Sequence, residues 1–463
     1  MTEQTGFTKS LADFTANITY EKLSDTSKMM AKKCILDWLG VAVLGSQERP
    51  AQLLRQVISG SGAATGGEAM LLNGKWERTT ALNAAMCNGA ASHTLDFDDL
   101  HNPSIIHLAT VVVPPAMALA QARHKSGRDL IAAVCAGYEA GARVGEAVIP
   151  ESYFYWHTTG TAGTFGAAAA AANILGLNTD ATLMCYGSAG SQAAGLWEFL
   201  KEGAMSKALH AGKASYAGVL AALLSEAGFT GASSILEGEK GFCRAMLPNP
   251  HLEKITEKLD INKLKIDENS FKPYACCKHS HAAIYAMQRL CRENNLTSAD
   301  IKRVTILVNN ITDYLINNPA PQNAYGCKFS IQYCAAAMVH YGAVGIEQFT
   351  DAAINDASVR SFMKKITVVR DDGMEAIHHA DASKLASKVI VECSDGRQLA
   401  MQVDYPKGDP ECQMSWDELA DKFMSLTIPV CGEKMSARLC SMIKNLEQQS
   451  DIDTALSSCF KED

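Results

Sequence analysis

The sequence lacks the marks of several large protein classes. No C-x-x-C occurs among its 15 cysteines, and the closest two are the adjacent Cys276 and Cys277. The ligand spacings of zinc sites and iron–sulfur clusters are therefore missing, which argues against a metal centre. There is no excess of positive charge: 42 lysines and arginines stand against 50 aspartates and glutamates, a formal net charge of −8. A nucleic-acid binder needs a basic face to meet phosphates, so that class is disfavoured; a local basic pocket for an acidic small molecule is not. The N-terminus, MTEQTGFTKSLADF, has neither the basic start nor the apolar core of a secretory signal. Scattered thiols without such a signal predict a cytoplasmic protein whose cysteines are buried small hydrophobes rather than disulfides. No run suits a membrane span. The most apolar stretch, TAGTFGAAAAAANILG at 161–176, is shorter than the ~20 residues required. Its alanines and glycines predict a tightly packed buried helix. Neither an internal repeat nor a low-complexity linker is present. GSGAATGG at 60–67 has neither the G-x-G-x-x-G spacing of a dinucleotide loop nor the G-K-[ST] ending of a P-loop, and reads as a turn.

What remains is an ordinary globular composition, 47% hydrophobic and 20% charged over 463 residues. That is long enough for about two to four domains and several cores. Residues 1–265 read mostly as helix. A long amphipathic segment covers 20–45, with Ser24 or Asp25 as its cap. Further helical runs fall at 77–92, 111–124, 127–148, 161–175, 179–191 and 210–227. Their small side chains suit helices that approach closely. The character changes near 266. IKRVTILVNN (301–310) alternates and is β-branched, predicting a strand, and SKVIVECSDGRQLAMQVDY (387–405) predicts a hairpin turning at Asp395-Gly396. Helical runs lie at 278–294 and 328–342. The pattern returns to helix after 413, in SWDELADKFMSL and EKMSARLCSMIKNLEQ. The fold class expected is mainly α. A large helical domain is built from 1–265 and 406–463, with a smaller α+β domain at 266–405 acting as a lid.

Four segments carry the residues suited to chemistry. ASHTLDFDDLHNPSIIHLATVVVPPA (91–116) holds His93, Asp96, Asp98, Asp99, His101 and His107 in what reads as an inter-helix loop. Metal binding, helix capping and general acid–base work on a carboxylate substrate all suit such a cluster. His157 precedes a Gly/Thr turn that opens an Ala-rich helix. A helix N-terminus there favours a neutral imidazole and offers N–H groups to an anion; a satisfied core histidine is the plainer reading. Lys207, His210 and Lys213 precede or open the next helix, and either lysine suits an anionic substrate, although lysines are mostly on surfaces. In FKPYACCKHSHAAIYA (271–286), Lys272, Tyr274, Lys278, His279 and His281 sit where the pattern changes. Cys276 reads as packing rather than as a nucleophile.

Together these segments resemble the MmgE/PrpD family, whose members include 2-methylcitrate dehydratase, cis-aconitate decarboxylase and iminodisuccinate epimerase. The resemblance runs through CILDWLGVAVLG, HTLDFDDLHNPSIIH, WHTTGTAGTFGAAAAAANILG, SKALHAGKASYAGVLAALLSEAGFTG, FKPYACC and KFSIQY. It implies a helical domain with an α+β lid, a homodimer, and catalysis without metal or organic cofactor. By motif, Asp96 matches the first aspartate of D-F-D-D, His107 the histidine closing that loop, and His157 the histidine of H-x-T-G. Lys207 matches the lysine of T-K-x-L-H, and Lys272 the lysine before Y-x-C-C. The resemblance thus implies Asp96, His107 and His157 as catalytic residues and Lys207 and Lys272 as binders of a small di- or tricarboxylate. The sequence departs from the family in having Leu100 where threonine is frequent, and Leu108-Ala109-Thr110 after the closing histidine. The expectation is a cofactor-independent lyase, a dehydratase or decarboxylase, with an epimerase of a dicarboxylate such as iminodisuccinate as the alternative and a non-catalytic helical scaffold as a remote one. The same parts serve all three reactions.

Overall fold

The computed structural model describes residues 6–60, 67–381 and 383–460; most of the glycine-rich turn expected at 60–67 lies outside them. The chain divides into two compact units. The first comprises Met1–Thr94, Asp98–Asn269 and Ser415–Asp463, and the second Leu95–Phe97 and Ser270–Met414.

The first unit is helical. Its opening helices are α1 (Phe7–Ala16), α2 (Asp25–Gly45) and α3 (Arg49–Gly60). Ser24 starts α2 by accepting the Ser27 N–H, which leaves one fewer orphan donor in the first turn. A two-stranded ribbon, β1 (Ala69–Met70) with β2 (Arg78–Thr79), leads into α4 (Ala81–Ser92). There follow α5 (Ala109–Ala122), α6 (Gly127–Glu146), α7 (Gly163–Leu175), α8 (Thr179–Gly190), the single turn α9 (Phe199–Glu202) and α10 (Ser206–Glu226). A capping box between Ser126 and Asp129 sets the start of α6. The small residues do what their spacing predicts. A Cβ added at Gly166 of α7 would lie 2.9 Å from the Gly137 carbonyl of α6, and one at Gly218 of α10 would lie 2.5 Å from Ala167 of α7. These helices therefore touch backbone to backbone. The apolar stretch at 161–176 becomes α7, 13 residues long and almost wholly buried, and among the described residues no helix is long and apolar enough to cross a membrane.

Helix α5 carries Pro114 and Pro115 in its interior. Pro114 cannot donate to the Thr110 carbonyl four residues back. The Ser215 hydroxyl of α10 donates to that carbonyl instead, at 3.2 Å, so a neighbouring helix replaces the donor that Pro114 lacks. The long helix Trp416–Lys444 is broken at Gly432 (φ 75°) and packs on α2, where Lys422 meets the buried Asp37 at 2.7 Å; the helix Ile452–Cys459 follows it.

The second unit carries a four-stranded sheet in the order β4-β3-β5-β6. Its strands are β3 (Ile301–Val308), β4 (Ile366–Arg370), β5 (Ser387–Cys393) and β6 (Gln398–Val403). β3 runs parallel to β4 and antiparallel to β5, and β5–β6 is the expected hairpin, with Gly396 at φ 90° in its turn. Its longest helices are His281–Asn294 and Ile331–Tyr341, and shorter ones such as Ala357–Met363 and Asp372–Ala380 join the strands. All 15 cysteines are unpaired, ten of them buried. Burial pushes the Cys276 thiol well above its usual range, so it is not poised as a thiolate nucleophile.

Candidate active site

The loop between α4 and α5 is the centre of the first unit's polar interior. His93 caps the C-terminus of α4, and the loop returns through a two-residue bridge between His101 and Ile106. Four hydrogen bonds fix it. Asp99 accepts the Ala109 N–H at the start of α5 (3.0 Å) and the Tyr138 hydroxyl (2.5 Å). The Thr158 hydroxyl donates to the Ile105 carbonyl. The His107 N–H donates to Thr159 Oγ1 at 3.2 Å. The two threonines after His157 are therefore the clasp between that segment and the aspartate-rich loop. Beneath the loop, Gly141 and Gly145 of α6 admit Leu108 and Ile106, each within 2.6 Å of where a Cβ would stand.

This scaffold gathers four histidines, a carboxylate and a lysine. Asp98 Oδ2 lies 2.7 Å from His93 Nδ1 and 3.1 Å from His107 Nδ1. His93 stacks on His157 with ring centroids 5.4 Å apart and planes 11° apart, and meets His107 edge-on at 4.8 Å. His157 Nδ1 lies 3.1 Å from His210 Nδ1 on α10. Trp197 leans on His157 with centroids 4.7 Å apart. His93 and Asp98 are wholly buried, His157 is 1% exposed and His107 is 9% exposed.

Charge is distributed to match. Burial pulls His93 down to about 4, against the pull of Asp98 and with Lys207 adding to the depression. Burial likewise holds His157 well below the usual histidine range, reinforced by His93, Lys207 and His210. For Asp98 burial acts upward, but His107 and His93 outweigh it and hold the carboxyl well below its ordinary value. An ionised Asp98 only accepts hydrogen bonds, so His93 carries its proton on Nδ1. Its Nε2 is then a bare lone pair, buried and with no hydrogen-bond partner among the described residues. An unpaired acceptor in so dry a place is unusual. Asp99, by contrast, is pushed up to about 7 by burial and by Asp37 and Asp98, against its hydrogen bond from Tyr138. Its two oxygens are engaged in holding the loop.

His107, His157 and Lys207 thus belong to one cluster in the first unit. Asp96 and Lys272 form a different pair, in the second. Lys272 Nζ donates to the Asp96 carbonyl (3.0 Å) and lies 3.2 Å from its Oδ1, both residues buried. Lys328 Nζ donates to the Leu95 carbonyl at 2.6 Å. Asp96 itself sits in the left-handed region, φ 56°, which an aspartate tolerates better than most residues. The carboxylate that faces the histidines is Asp98, two residues on. The other polar residues of 271–286 are engaged locally: Lys278 with Asp409 (2.6 Å), His279 with Thr312 (3.0 Å) and Tyr274 with Gln288 (3.2 Å).

His93, Asp98 and His107 offer ligand-type atoms within 4.8 Å of one another. Both imidazole Nδ1 atoms lie near the same Asp98 oxygen, at 2.7 and 3.1 Å, and that of His93 is hydrogen-bonded to it. His101, Glu146 and Glu268 also converge, but the Lys265 ammonium stands 2.8 Å from Glu146 and already supplies the cation there.

Comparison with known proteins bears on the same segments. The family model for the MmgE/PrpD N-terminal domain matches residues 9–255, and that for the MmgE/PrpD C-terminal domain matches 274–448. Among curated relatives, a cis-aconitate decarboxylase-like protein of Aspergillus oryzae is 28% identical over 81% of each chain. The human cis-aconitate decarboxylase is 26% identical over 96% of this chain and 92% of its own. That of Aspergillus terreus is 24% identical over 98% and 96%.

Proposed function

The chain belongs to the MmgE/PrpD family, and on that premise we propose that it is a carboxylate lyase that decarboxylates cis-aconitate or a close tricarboxylate analogue by acid–base chemistry. The observation that carries the reading is the buried Asp98 with a histidine on either side, next to a third histidine and a lysine. The family relationship and the run of decarboxylases among the relatives support it.

Each residue has a task that its surroundings suit. Lys207 holds one substrate carboxylate by a charge-assisted hydrogen bond. Asp98 fixes the ring of His107 and stabilises it when charged, so that His107 exchanges a proton with the substrate from a set position. His157, kept neutral at rest by burial and nearby positive charge, is a strong acid once protonated and delivers that proton readily to carbon. When the C–CO₂ bond breaks, its electron pair stays on the substrate carbon framework, and His157 supplies the proton that ends there. The products are carbon dioxide and an unsaturated dicarboxylate. The proposal rests on the first unit's residues alone.

The reading is tested by incubating the protein separately with cis-aconitate, citrate, 2-methylcitrate and iminodisuccinate and measuring released carbon dioxide and new alkene. Carbon dioxide from cis-aconitate is the expected result. Alkene without carbon dioxide from citrate or 2-methylcitrate would make the protein a dehydratase instead. Loss of optical activity alone from iminodisuccinate would make it an epimerase.

A further inference from the structure

If the protein is a decarboxylase as proposed, each turnover replaces a C–CO₂ bond with a C–H bond and consumes one proton. That proton comes ultimately from water, yet His157, which is to deliver it, is 1% exposed. His157 therefore needs a route to solvent. The structure supplies one neighbour of the right kind. His210 is half-buried, lies one turn beyond Lys207 on α10, and brings its Nδ1 to 3.1 Å from His157 Nδ1.

The contact is built. The His157 N–H donates to the Gly195 carbonyl at 3.0 Å, and Trp156 and Leu196 form a bridge beside it. A Cβ at Gly195 would stand 3.2 Å from His210 Nδ1, and one at Gly160 would stand 3.0 Å from His210 Cβ. Two glycines thus leave the space in which the His210 ring reaches His157. Phe199 closes the remaining side, with ring centroids 5.5 Å from His210 and 6.2 Å from His157. The charged group that acts on His210 is Lys213 on its own helix.

We propose that His210 is the proton-entry residue of the site. A proton from water or a buffer acid binds His210 Nε2, the Nδ1 proton of His210 passes to Nδ1 of His157, and His157 releases its Nε2 proton to the carbon that has lost carbon dioxide. One proton enters for each carbon dioxide released, and both imidazoles return to neutrality with their tautomers exchanged. The starting tautomers return once product has left: a proton from water binds His157 Nε2, the Nδ1 proton of His157 passes back to His210 Nδ1, and His210 Nε2 releases its proton to water. Burial, with the Lys213 charge, brings His210 down to about 4. A proton therefore passes through this residue without resting there. His210 acts through His157 and is a positioning and relay residue rather than one that meets substrate.

The test compares wild type, His210→Asn and His210→Ala with cis-aconitate at pH 7, with and without added imidazole. Asparagine keeps a donor where Nδ1 was but cannot carry a proton through, so a purely structural role would survive in it. The expected result is a kcat at least about tenfold lower in both variants, KM nearly unchanged, and activity of the alanine variant rising with imidazole concentration. A folded asparagine variant with wild-type kcat, or an alanine variant that imidazole does not restore, overturns the relay. Should the alanine variant fail to fold, the asparagine variant decides alone by its kcat. A wild-type protein that releases no carbon dioxide overturns the functional reading and the relay together, whereas an active wild type with indifferent variants overturns only the relay.

Discussion

Asp98 Oδ2 stands 3.1 Å from His107 Nδ1 while the same oxygen accepts a hydrogen bond from Nδ1 of the buried His93. One carboxylate thus holds the His93 ring and sets the charge beside His107, and replacing it with an amide changes both at once. The variant Asp98→Asn should lose about 10²–10⁴ in kcat, the range of a misdirected acid–base group. KM should change far less, because no substrate contact is assigned to Asp98. Steady-state kinetics on a variant shown to be folded by circular dichroism checks this; a kcat within threefold of wild type would contradict it.

His157→Gln and Lys207→Ala should fail in different ways. Loss of a proton-transfer group lowers kcat by about 10²–10⁴ with little change in KM. Loss of a charged hydrogen bond to a carboxylate costs about 1.5–3 kcal/mol and raises KM. If Lys207→Ala lowers kcat alone, the lysine belongs to the proton-transfer machinery.

In the second unit, Lys272→Met leaves the buried Asp96 carboxylate without its ammonium. Breaking one side of a buried pair costs about 3–5 kcal/mol. The double variant with Asp96→Asn, which removes the charge and suits the left-handed backbone, should recover part of that. Urea unfolding of the two variants measures the difference, and equal stabilities would show that the pair carries no coupling.

Acid should destabilise the fold through its buried neutral histidines. Burial, with Lys265 nearby, takes His101 down to about 3. In the unfolded chain it titrates at about 6.5. The unfolded state therefore binds more protons between these values, and stability falls as pH drops through 6.5. The term for this one residue is about 2 kcal/mol at pH 5. Asp99, raised to about 7, has the opposite sign: the folded state holds the extra proton, so its contribution fades as pH rises from 4 to 7. Thermal melts at pH 7 and pH 5 should show a smaller drop for His101→Gln than for wild type. Equal drops would mean that His101 is charged in the fold.

Activity should persist after exhaustive dialysis against EDTA, since His93 and His107 both point Nδ1 at one Asp98 oxygen. A loss that zinc, iron or manganese reverses would make that trio a metal site.

The helices were legible where one strong signal acts locally. Ser24 and the periodicity after it predict α2, and Asp395-Gly396 predicts the β5–β6 turn, because caps and turns depend on a few adjacent residues. β4 was not legible: five residues, ITVVR, take their strand conformation from pairing with β3, some 60 positions earlier. Neither were α1 and α3. Which residues meet was harder still. His93, Asp98 and His107 stand in one dense cluster, but spacing alone does not say that His93 and His107 both meet Asp98, which needs the loop between α4 and α5 to turn back on itself at the His101–Ile106 bridge. The approach of His210 to His157 depends on Gly160 and Gly195, whose missing side chains show only once the helices are in place.

Proton NMR of the wild-type protein with cis-aconitate in D₂O follows the decarboxylation and its proton together. The expected product is an unsaturated dicarboxylate carrying one solvent-derived deuterium at the carbon protonated during turnover, formed in step with released carbon dioxide. Cis-aconitate that exchanges hydrogen for deuterium, or gains water, while keeping all three carboxylates would contradict it.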